Sequence, residues 1–134
     1  MRALGQELAA REAEHRASLD EARQRAARLR AEVAEALAGW REALDAMGAP
    51  QLAVVLGELR PDDKHVRAVE FDVTRGRHRA LVTVKARGDV TLVGPFHAGK
   101  TEGPCKSFPF AAEDEMRNAL GDFLERFLGE AATP

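Results

Sequence analysis

The chain of 134 residues has a single cysteine, no isoleucine and no tyrosine. A lone Cys105 excludes a disulfide framework and an all-cysteine zinc site within one chain. No run of 18 or more apolar residues occurs, which excludes a helical membrane span. The N-terminal stretch MRALGQELAAREAEH lacks the apolar core and cleavage-like site of a secretory signal, so a cytoplasmic location and no membrane partner are expected. Residues 1–47 have no proline and only two glycines. Nothing there interrupts a helix.

What is present is uneven. Of the 60 apolar residues, 25 are alanine, and Arg outnumbers Lys 16 to 4. The net charge of −2 divides into −1 over residues 1–47, +3 over 48–111 and −4 over 112–134. A basic middle and an acidic tail therefore hide behind a near-neutral total.

The first segment carries a heptad pattern: Leu19, Ala22, Ala26, Leu29, Val33, Ala36, Trp40, Ala43 and Met47 recur at alternating steps of three and four. Leu37 and Leu44 widen the stripe. Traced backward, the register passes through His15, Glu12, Leu8 and Gly5. Gly48 and Pro50 end the helix. Ser18-Leu19-Asp20-Glu21 spells a capping box, but Glu-Ala-Arg-rich sequence on both sides favours one continuous helix. Such a helix from residue 3 to 47 spans about 67 Å at about 1.5 Å per residue, longer than a compact head built by the rest. The expected division is a stalk helix over 1–47 and a head over 48–134. The C-terminal half of the helix is expected to pack on the head. Residues 4–29 are expected to meet a second copy, in a homodimer or higher oligomer, through a seam of Leu8, Leu19, Ala22, Ala26, Leu29 and Val33.

The head reads as strands at Leu52–Leu59, His65–Thr74, Arg79–Ala86 and Val90–Val93. In the second, Arg67, Val69, Phe71 and Val73 share one face. In the third, Ala80, Val82, Val84 and Ala86 oppose Leu81, Thr83 and Lys85. Gly94–Phe110 reads as a long loop. The last helix is expected from about Ala112 to Leu128, ended by Gly129, with Met116, Leu120, Phe123, Leu124, Phe127 and Leu128 in one apolar stripe. The fold class is thus α+β: a long N-terminal helix, a four-stranded antiparallel meander and a C-terminal helix packed on one sheet face.

Few residues point to chemistry. Gly94–Thr101 satisfies G-x-x-x-x-G-K-[ST], but Gly103 and Pro104 break the helix a phosphate loop must open, and Pro95 removes an amide donor. Arg87-Gly88-Asp89 is a hairpin turn. Arg75, Arg77, His78 and Arg79 form a basic cluster able to bind an anion or an acidic partner, or to answer the acidic last helix of the same chain. His97, Lys100, Cys105 and Lys106 share the loop. A Cys–His pair there lacks a third, orienting group, and one Cys with one His falls short of a zinc site. No catalytic residue, metal or cofactor is assigned.

The stretch Ala80–Val93, ALVTVKARGDVTLV, resembles the hairpin of the small bacterial nucleoid-associated YbaB-type proteins over its 14 residues. That resemblance implies a dimeric nucleic-acid-binding protein, although those proteins have three strands. The overall plan is also similar to coiled coils capped by RWD-like domains, whose Tyr-Pro motif is absent here. The leading expectation is a non-enzymatic oligomerisation and protein–protein interaction module. A dimeric nucleic-acid-binding protein using the basic hairpin is the alternative. A small ligand-binding domain or thiol enzyme with a site in loop 94–106 is third.

Overall fold

In the computed structural model of the chain, the structure describes residues 1–49, 52–61, 68–97 and 103–131. The elements run α1 (Arg2–Ala46), β1 (Val55–Leu56), β2 (Arg60–Pro61), β3 (Ala68–Arg75), β4 (His78–Lys85), β5 (Asp89–His97), β6 (Cys105–Pro109) and α2 (Glu113–Ala131). The class is α+β, with an antiparallel sheet between a long first helix and a shorter last one. Among the described residues no helix is long and apolar enough to cross a membrane.

α1 is continuous through Ser18. Its end follows from Gly48, whose φ of 71° suits glycine. The Gly48 N–H donates to the Asp45 carbonyl at 3.2 Å and the Ala49 N–H to the Leu44 carbonyl at 2.8 Å. This pair of reversed bonds is a Schellman stop, and it satisfies carbonyls the helix would leave open.

The sheet order is β1-β3-β4-β5-β6, with β2 also on β3. β1 and β2 are two pieces of one broken edge, pairing Val55 with Thr74 and Arg60 with Glu70. A fifth strand, β6, stands where the sequence reads as loop. Val93 faces Cys105 and Val90 faces Phe108. β5 likewise continues to His97, past a register shift opposite Arg79–Leu81. The four-strand expectation is corrected accordingly.

Strand alternation behaves as elementary geometry requires. Val69, Val84, Val90 and Phe108 form one buried cross-strand row, and Phe71, Val82 and Leu92 the next. Both helices cover this face: α1 lies on β3 and β4, and α2 on β4, β5 and β6. Met116, Leu120, Phe123, Leu124 and Phe127 supply the stripe of α2. That helix runs through Gly129 to Ala131, two residues beyond the expected stop.

The buried positions of α1 are Ala22, Ala26, Leu29, Val33, Leu37 and Leu44. Their mean spacing fits the 3.6-residue turn of a straight helix, not the 3.5 of a supercoil. Ala36, Ala43 and Met47, which a heptad puts in the seam, are exposed. The helix drifts off the heptad because it packs on a sheet.

Candidate functional site

The basic hairpin is largely committed to the fold. Arg75 donates from its guanidinium to the Ala131 carbonyl, at the C-terminal end of α2. A cation there meets both an open carbonyl and the negative end of the helix dipole. Arg79 donates to the Asp72 carboxylate at 3.0 Å, and Arg60 approaches the same oxygen at 3.5 Å while bonding Glu70 at 3.0 Å. These four charges lie on the sheet face turned away from the helices. Arg77 remains exposed in the turn. His78 faces His97 across β4 and β5, with ring centroids 4.9 Å apart.

The loop candidates do not converge. Cys105 is exposed opposite Val93, whereas His97 lies four residues farther along β5. At about 3.3 Å per strand residue that separation is about 13 Å, so the His97 imidazole does not reach the thiol. Lys100 and Thr101 lie outside the described residues, as do Pro50, Asp62, Asp63, Lys64, His65 and Arg67. Gly103 and Pro104 lead into β6 and not into a helix, so the geometry lacks the helix that a phosphate loop requires. Among the described residues no three His, Cys, Asp or Glu side chains gather as a metal site.

The seam residues divide sharply. Ala22, Ala26, Leu29 and Val33 belong to the core of their own chain, with Leu19 packed at its margin. Arg25 lies over the Phe110 ring, 4.1 Å from its centroid, and Arg117 of α2 reaches Glu32 of α1 at 3.0 Å. The stalk free for a partner is therefore shorter than residues 4–29. Leu4 and Leu8 remain 49% and 54% exposed, and no element of the described chain covers them. From Arg2 to Ala17 the projecting helix is about 24 Å long at about 1.5 Å per residue.

One feature was not anticipated. Between β6 and α2 lies a cleft of about 620 Å³. Leu92, Phe108, Ala119 and Phe123 supply its apolar lining, and Glu115, Asn118 and Asp122 stand along α2. Lys106 lies on the strand side, its ammonium 5.4 Å from the Phe108 ring centroid. The sequence signal was the short alternation of Lys106 and Phe108 against Cys105 and Ser107, masked by flanking prolines.

The fold and its sites define a class: a small α+β domain with a helical extension, an open sheet edge and an adjoining cleft. No protein-family model, curated protein or solved structure matches the chain.

Proposed function

We propose that the protein is a non-enzymatic oligomerisation and protein-interaction module, in which the projecting part of α1 joins copies of the chain and the α+β head meets a partner protein. The observation that carries this reading is the length of α1: 45 residues, with internal packing beginning only at Leu19. Leu4 and Leu8 recur one turn apart on the free part. Its charges are balanced, with Arg2, Arg11 and Arg16 against Glu7, Glu12 and Glu14, so two copies need not repel. Covering two half-exposed leucines on each chain contributes about 3–6 kcal/mol to a pair, against an association cost of similar size or larger. The association is therefore reversible and concentration-dependent.

Sedimentation velocity on the full chain tests this. Average mass should rise with concentration, and Leu4→Glu with Leu8→Glu should abolish the rise without changing the melting temperature of the head. A monomer throughout the range up to about 1 mM, where binding is worth only about 4 kcal/mol, overturns the reading. A nucleic-acid surface at the hairpin has less support, because Arg75 and Arg79 are engaged within the chain.

A further inference from the structure

The two edges of the sheet are treated differently. On the β1/β2 side the edge breaks at Gly57–Leu59 and closes with Pro61. There Arg30 donates to the Gly57 carbonyl at 2.8 Å and pairs with Glu58 at 3.4 Å. Such devices stop a further strand from adding. β6 is five residues long, and only Phe108 in it is buried.

Its backbone polarity can be read from the ends. The Pro104 carbonyl accepts from the Gly94 N–H at 2.7 Å, and the Phe110 N–H donates to the Gly88 carbonyl at 2.8 Å. Antiparallel alternation then turns the even-numbered residues toward β5. Cys105 and Ser107 direct both N–H and C=O outward, whereas the Pro109 C=O accepts from the Ala112 N–H at 3.0 Å. Beside this row of open groups lies the 620 Å³ cleft, with Leu92, Phe108 and Phe123 in its lining.

We infer that β6 and α2 form a peptide groove, which takes one extended segment of a partner protein as an added strand of the sheet. The inference rests on the reading of the head as a partner surface, but not on the stalk. Main-chain hydrogen bonds to Cys105 and Ser107 hold the strand, and its alternate apolar side chains enter the cleft. Charge selects the rest of the occupant. Arg126 is already paired with Glu130 at 3.1 Å, whereas Glu115 and Asp122 have no ion-pair partner among the described residues. Asp114 and Glu125 add to the exposed acidity of α2. Lys106 stands on the opposite, strand side. The segment that fits therefore presents apolar and basic side chains in turn at every second residue, on its face toward α2, with uncharged polar residues between them.

The test is fluorescence anisotropy on the full chain with three labelled, end-capped decapeptides. One repeats Val-Thr-Lys-Thr, so that Val and Lys share a face, one repeats Val-Thr-Glu-Thr, and one has the residues of the first in blocks. The Val-Thr-Lys-Thr peptide should bind saturably at micromolar concentration, and the other two at least tenfold more weakly. Ser107→Pro removes an outward N–H while leaving the β5 ladder intact, and should weaken binding at least tenfold. Glu115→Lys with Asp122→Lys, both at exposed positions, should do the same. Absence of saturable binding, or equal binding by the variants, overturns the proposal. So does a fall in sedimenting mass caused by Ser107→Pro, which would assign the edge to a second copy. A monomeric chain that still binds the peptide defeats the stalk reading alone.

Discussion

Ala26→Leu distinguishes packing within the chain from packing between chains by the sign of its effect. Ala26 has no solvent exposure and sits in the core beside the sheet. Leucine adds three carbon atoms to a site with no open side. Overpacking of this kind costs about 1–3 kcal/mol. For a chain of 134 residues, about 2.1 cal/mol/K of unfolding entropy per residue makes 1 kcal/mol worth about 4 °C. The melting temperature should fall by about 4–11 °C. If Ala26 instead faced a partner helix, the same three carbons would add about 2 kcal/mol of apolar burial per chain. Melting temperature would then rise, and rise further with protein concentration. Circular dichroism melts at two concentrations tenfold apart decide the matter. A rise of several degrees would refute the internal assignment, and with it the boundary between stalk and head at Leu19. Leu8→Ala serves as the control: at a half-exposed position outside the head it should move the transition by no more than about 0.5 kcal/mol.

Three further perturbations probe the head. Phe71→Ala, at a fully buried position of β3, should cost about 3–5 kcal/mol in chemical denaturation; a cost below 1 kcal/mol would place it outside the core. Gly57→Ala puts a Cβ into the Asp72 carboxylate, which Arg60 and Arg79 hold in place; the melting temperature should fall by the equivalent of about 1–3 kcal/mol, and less in an Asp72→Ala background. Cys105 is exposed and unpaired, so a thiol reagent should modify one group per chain in the native state, with no acceleration on adding denaturant; a thiol that reacts only after unfolding would contradict the placement of β6.

Periodicity made the helices and the three central strands legible, because each buries a regular face. Val69, Phe71 and Val73 alternate as a half-covered strand must, and the stripe of α2 recurs at the helical period. β6 was not legible. Cys-Lys-Ser-Phe-Pro buries one side chain, and prolines bound it on both sides. It is a strand because β5 offers it partners, a property of the fold and not of its own residues. Gly94 and Pro95 read as breakers for the same reason, yet they continue β5 beyond a register shift that absorbs them. The seam misled differently. Alanine at every turn fits a close helix pair and equally fits a helix laid on a sheet, and only the mean spacing of the buried positions separates the two.

The charge pattern gains a physical meaning from these contacts. A segment of +3 and a segment of −4 lie apart in the sequence, which invites two separate external partners. Instead the hairpin cation Arg75 meets the end of the acidic helix at Ala131, and Arg79 is held by Asp72 on its own sheet. The basic excess is thus partly consumed within the head. The acids of α2 are matched less completely: Glu113 has Arg117 and Glu130 has Arg126, while Glu115 and Asp122 line the cleft without a counterion among the described residues. Exposed carboxylates cost little to leave solvated, so their pairing is not forced by stability. Their place beside an open strand edge makes them discriminators of what may lie there, because unlike charge at a rim governs the choice of partner more than the strength of binding.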